Sequence, residues 1–218
     1  MSPTDAGPEG RLLRFVPAER LAHWAHAAFF LLAFTSGLLT WIPSTRIWMA
    51  GSRQAVTHLH GGMGLFMIGV PLVLLVLVDR RRLAGNLREI DLWDADDRAW
   101  FWQAMRGYTL RRLSMPPQDR FNAGQKADSV IVAAMGVGFA ITGSLLLAKP
   151  HVPTWLVSRA LILHQFLAVA AVALFAGHLL HALSTRHGRD SLRAMVGGTM
   201  SVETARERHE KWWRRQTG

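Results

Sequence analysis

The sequence predicts an all-α membrane protein: a four-transmembrane-helix bundle with an interfacial amphipathic helix in its long loop and a helical C-terminal tail. Three observations carry this prediction. Four apolar stretches of about 20 residues run almost free of charge, which is the length needed to cross a hydrocarbon core. Basic residues gather on the segments that would share one side of a bilayer, and histidines recur inside the apolar stretches. Hydrophobic residues make up 50% of the 218 and charged residues 18%, a balance that excludes disordered or collagen-like chains. With no cysteine, the chain has no disulfide, thiolate zinc site, iron–sulfur cluster or cysteine nucleophile of its own. Residues 1–218 read as one integral membrane domain.

The first span covers residues 21–42 and the second 58–78, neither with an Asp, Glu, Lys or Arg. The third, 127–148, carries only Asp128, and the fourth, 158–183, carries only Arg159, each at an edge. Soluble amphipathic helices would show a charge every few positions instead. Four spans put the N-terminal segment, the loop 79–126 and the tail 184–218 on one side, and these hold 21 of the 25 basic residues. The positive-inside tendency makes that side the cytoplasm, with both termini in it. The net charge of +10 is then a topological signal, which removes the main argument for a nucleic-acid partner.

Within the loop, residues 91–107 place Leu92, Trp93, Trp100, Phe101 and Met105 among acids and arginines, the pattern of a short helix lying in the headgroup region against membrane lipid. Residues 201–215 of the tail look similar and carry Trp212 and Trp213.

Histidines at membrane depth are costly, so each is a candidate site residue, against the plainer reading of a helix–helix hydrogen bond. By topology, His23 begins the first span on the cytoplasmic side and His60 begins the second on the outer side. His164 lies near the outer start of the fourth span and His178 near its cytoplasmic end. Depth therefore pairs His60 with His164 and His23 with His178. His164 and His178 stand 14 residues apart, nearly on one helix face and about 21 Å along it. Paired neutral imidazoles suit the two axial positions of a haem iron and leave none open, which favours electron transfer over oxygen chemistry. His26, His58 and His181 remain as extra candidates, for a ligand, a hydrogen bond or a divalent metal.

The sequence resembles the cytochrome b (gamma) subunit of membrane-bound respiratory formate dehydrogenases, related to the wider di-haem cytochrome b family of hydrogenases and molybdoenzymes. The resemblance runs from Arg14 to about Arg215. It rests on Arg20–Trp24 opening the first span, Leu59 and His60 followed by Gly61 and Gly64, the run Asn122 to Lys126 (NAGQK), and Leu163, His164 and His178. It implies two haem b groups, held by His60 with His164 and by His23 with His178. It also implies a quinone site, for menaquinone or ubiquinone, near the cytoplasmic haem, with Asn122 and Gly124 contacting the quinone and His178 bordering it. An iron–sulfur subunit and a molybdenum or tungsten catalytic subunit are the implied partners, in a complex of the bacterial inner membrane that could oligomerise further. Formate oxidation itself would belong to another subunit.

The expected role is a membrane anchor that passes electrons from an outer iron–sulfur partner through two haems to a quinone. A cytochrome b subunit of a nickel–iron hydrogenase or another molybdoenzyme is the nearest alternative. A haem-free transporter or interaction protein using its histidines for metal or packing is the alternative of a different class.

Overall fold

The computed structural model describes residues 10–45, 52–107 and 115–218. Among them are eight α-helices and a two-stranded sheet, and four of the helices are long and apolar enough to cross a membrane. These four are α1 (Pro17–Trp41), α2 (Arg53–Asp91), α4 (Ala123–Leu147) and α5 (Thr154–Ser184). Between α2 and α4 lies α3 (Ala95–Gly107), and the tail forms α6 (Arg186–Gly197), α7 (Val202–Arg208) and α8 (Glu210–Thr217). Parts of two connections, residues 46–51 and 108–114, lie outside the described residues together with residues 1–9.

The helices outrun the uncharged stretches because the helical backbone continues past the apolar core. In α1, Pro17 takes the first-turn position, where a missing N–H costs nothing, and Glu19 accepts from the Val16 N–H at 2.8 Å. In α2 the apolar run ends at Val78, and the helix breaks at Asp79 (φ −155°, ψ 75°) before resuming to Asp91. The loop expected over 79–126 is thus largely helical, and the amphipathic segment of the sequence appears as α3. Its start is closed by a reciprocal pair: Asp97 N–H donates to Asp94 Oδ1 at 3.0 Å, and Asp94 N–H to Asp97 Oδ2 at 3.1 Å.

The chain divides into two compact units. One, formed by Leu21–Asp79 and Val132–Ala176, contains the first two apolar stretches and most of the third and fourth. Its outward side chains are large and apolar, Leu77 at 78% exposure and Phe166 at 67%, a surface suited to lipid and not to water. Apart from Met67, its buried positions among the described residues are small: Ala22, Ala33, Ser36, Thr142 and Ala160. A Cβ on Gly138 would lie 2.8 Å from Leu167 Cδ1, so this glycine lets α4 and α5 approach closely. Helices in lipid gain nothing from hiding apolar surface and associate through such close packing.

The other unit comprises Met1–Arg20, Arg80–Ile131 and Gly177–Gly218. Here β1 (Arg11–Leu13) pairs antiparallel with β2 (Thr199–Ser201), Leu12 opposite Met200. Leu12, Phe15, Ala194, Met200, Ala205 and Trp212 form its apolar core. Gly198 ends α6 in the left-handed region (φ 90°), and its carbonyl accepts from the N–H groups of Arg14 at 2.8 Å and Phe15 at 3.0 Å. The tail is tied down further by His209, whose Nδ1 donates to the Asp119 carbonyl at 2.7 Å, and by the Lys211 N–H on the Gln118 carbonyl at 3.0 Å.

Candidate functional site

Within the apolar unit, His60 of α2 and His164 of α5 face each other with ring centroids 6.0 Å apart. Each ring is held by its Nδ1. His60 Nδ1 lies 2.8 Å from the Ala33 carbonyl, which can only accept, so that nitrogen carries the proton. His164 Nδ1 lies 2.8 Å from Thr142 Oγ1, whose own proton is directed at the Gly138 carbonyl at 2.7 Å, so this nitrogen donates as well. Both Nε2 atoms are therefore left as lone-pair nitrogens, the tautomer a metal ligand requires. Two imidazoles that share one metal at about 2 Å have centroids roughly 5–6 Å apart, so the ring spacing is compatible with a group held between them. Gly37 makes room for the pair, since a Cβ there would lie 3.0 Å from His60 Cε1. The Phe139 ring sits edge-on to His164 at 5.1 Å.

The other histidines separate by environment. His58 is exposed, with Nε2 3.4 Å from Gln54 Nε2. His26 Nδ1 donates to the Met67 carbonyl at 3.0 Å. That carbonyl would ordinarily accept from residue 71, but residue 71 is proline and has no N–H, so His26 satisfies an acceptor that α2 itself leaves unpaired. His23 is half-buried, its ring edge-on to Trp24 at 5.3 Å. His178 and His181 are exposed on α5, His178 in the other unit from His23.

The run Asn122 to Lys126 opens α4. Asn122 is its N-cap: Oδ1 accepts from the Gln125 N–H at 2.9 Å, and Gln125 Oε1 accepts from the Asn122 N–H at 3.2 Å. With Oδ1 so engaged, Asn122 has its Nδ2 amide to offer a ligand. Of the next N–H groups, Ala123 donates to Gln118 Oε1 at 2.7 Å and Lys126 to the Asn122 carbonyl at 2.9 Å. Among the described residues the Gly124 N–H has no acceptor, so it joins Asn122 Nδ2 as a donor at the helix start. A Cβ on Gly124 would lie 2.8 Å from Trp100 Cη2, so α3 packs directly over this glycine.

Buried cations brace the turn. Arg14, fully buried, donates to Gln125 Oε1 at 3.1 Å, the Arg120 carbonyl at 2.8 Å and Ser191 Oγ at 3.2 Å. Burial, and the Arg120 charge beside it, push its guanidinium down to about 9, still a cation at neutral pH. Arg120 donates to Glu89 Oε2 at 2.7 Å and Glu19 Oε1 at 3.0 Å. Lys126 pairs with Asp97 at 2.7 Å.

Sequence reasoning did not find Thr142, Ala33, Arg14 or Asp97 as partners of site residues. A proline in mid-span, four residues after Met67, was a legible sign of an unpaired carbonyl, and Asn122 with Gln125 three positions later was a legible capping box. Nothing local marks Thr142 or Arg14, whose partners are 22 and 111 residues away.

Four apolar helices with a facing imidazole pair and a polar helix start define a multi-pass membrane cytochrome. The chain belongs to the prokaryotic cytochrome b561 family, whose model matches residues 14–198. Membership makes it a membrane electron-transfer protein carrying haem b, and the lone-pair geometry of His60 and His164 fits such a group. Over 208 residues it is 26% identical to the formate dehydrogenase cytochrome b556(fdo) subunit of Escherichia coli (strain K12), covering 93% of this chain and 92% of that one. Identity is 23% to the nitrate-inducible formate dehydrogenase cytochrome b556(Fdn) subunit of the same organism, over 90% of this chain and 87% of that one. It is 22% to the formate dehydrogenase cytochrome b556 subunit of Haemophilus influenzae, over 99% and 88%.

Proposed function

We infer that the chain anchors a formate dehydrogenase complex in the bacterial inner membrane and carries electrons from an iron–sulfur partner to a quinone. The observation that carries this reading is the His60–His164 pair, two rings 6.0 Å apart with each Nδ1 engaged by a partner, in a chain whose relatives are named as formate dehydrogenase cytochromes.

Haem b supplies reversible one-electron chemistry when bound. His60 and His164 would hold one haem, with Ala33 and Thr142 fixing the tautomer of each ring. His23 and His178 are assigned to a second by their depth along the spans, and the 14-residue step from His164 to His178 on α5 spaces the two. Asn122 Nδ2 and the Gly124 N–H present donors, which suits a quinone because its oxygens only accept until reduced. The side rich in basic residues is assigned to the cytoplasm, so that end of the chain draws the protons for quinol from cytoplasmic water.

A haem count and a reduced-minus-oxidised spectrum on the purified complex test the reading. Two b haems per chain, with selective loss of one on His60→Ala or His164→Ala, are expected; one haem per chain removes the second pair. Co-purification with formate-dependent quinone reduction identifies the complex, and activity with another donor alone overturns the formate assignment.

A further inference from the structure

Asp97 and Lys126 form an ion pair at 2.7 Å with both side chains about 95% buried. Removing two charges from water is costly and does not by itself stabilise a fold. This pair also occupies a particular place. Lys126 follows the Asn122 cap by one helical turn, so their side chains are neighbours on the same face of α4. The ammonium has three N–H groups, of which one goes to Asp97 and one to the Leu92 carbonyl at 2.6 Å. Among the described residues no acceptor takes the third.

The pair lines a cleft with Glu89, Asp94, Asp119 and Lys211 as its other charged walls. These are graded in exposure, Asp94 at 56% and Glu89 at 37% of their side chains against 4% for Asp97. Their own partners are Lys211 for Asp94 and Asp96, Arg120 for Glu89, and Arg215 for Asp119. Partly exposed carboxylates thus lead inward to a buried acid–base pair, whose lysine lies one helical turn from Asn122.

We propose that Lys126, held by Asp97 and reached through this cleft, delivers protons to the quinone at Asn122. The proposal rests on the quinone reading above. A quinone takes two electrons from the haem chain and two protons to become a quinol. For each proton, the Lys126 N–H bond breaks as an O–H bond forms on the reduced quinone oxygen. A proton taken from the bulk solvent and relayed along water past Glu89 and Asp94 then re-forms the N–H bond on the Lys126 amine before the next transfer, and the Asp97 carboxylate holds the ammonium in place.

The test uses the intact complex in membranes and compares Lys126→Arg, Lys126→Met and Asn122→Ala. Arginine keeps the charge and the pairing with Asp97 but does not give up its proton near neutral pH. Lys126→Arg is expected to keep both haems and their reduction by the donor, while quinol formation falls about 100-fold, the scale of a lost general acid, with an enlarged solvent isotope effect. Lys126→Met should match it. A parental rate and pH profile in Lys126→Arg overturns the proposal. So does loss of haem in both Lys126 variants, which would make the pair a structural clasp. If Asn122→Ala leaves the quinone KM unchanged, the quinone site itself is misplaced. If it raises the KM while Lys126→Arg behaves as the parent, only the proton role falls.

Discussion

Thr142 accepts a hydrogen bond from His164 Nδ1 at 2.8 Å because its own hydroxyl proton is already committed to the Gly138 carbonyl. One threonine therefore decides which nitrogen of His164 is protonated. Thr142→Val keeps the volume and removes the acceptor. It should weaken haem retention about 10- to 100-fold, the usual effect of losing a partner behind a metal ligand. Titration of the apo-protein with haem checks this, and Thr142→Ser should restore most of the affinity.

His26 meets the carbonyl that Pro71 leaves unpaired. His26→Leu should destabilise the apolar unit by about 1–2 kcal/mol through the stranded Met67 carbonyl, while the haem count stays unchanged. The double variant His26→Leu with Pro71→Ala should recover the loss, because alanine returns the N–H that Met67 lacks. Detergent denaturation followed by the haem band measures both. Loss of a haem in His26→Leu alone would make His26 a ligand.

Gly124 has no room for a side chain beneath Trp100. Gly124→Ala should raise the quinone KM about tenfold with both haems still reducible, since a displaced α3 costs on the order of 1–2 kcal/mol at the site. Adding Trp100→Leu should bring the KM back toward the parent.

His209 titrates far from its ordinary range. Burial, with the Arg14 charge beside it, holds its imidazole down to about 3. The undocked tail takes up that proton near pH 6.5, whereas the docked tail refuses it until about pH 3. Docking is consequently at full strength above pH 6.5 and weakens as the pH falls toward 3. Hydrogen exchange or limited proteolysis of residues 202–218 should show release at pH 5 that is absent at pH 7.5. His209→Gln, which cannot charge, should flatten the difference.

Much of the architecture is legible from single residues. Val78 followed by Asp79 marks where the second apolar run ends, and the helix breaks at that aspartate. The uncharged stretches mark hydrocarbon, however, and not helix ends, so α1 begins at Pro17 and α2 runs on to Asp91. Composition could not locate the strands: Arg11–Leu13 has no β-branched alternation and finds its partner 188 residues away. At the site, membrane depth and spacing single out His23, His60, His164 and His178, whereas Asn122 is pointed to only by the family resemblance. The groups that orient them come from other helices, and only packing brings Ala33, Thr142 and Arg14 to them.

The pairing of Leu12 with Met200 also orders events in time. A ribosome has released β1 and all four spans before β2 emerges, and Asp119 likewise waits for His209 and Arg215. The membrane helices can therefore insert while the unit that holds β1 and β2 is still open. Its closure around Arg14, Gln125 and Asn122 waits for the tail, so a nascent or C-terminally clipped chain has its apolar helices complete before the turn at Asn122 is braced.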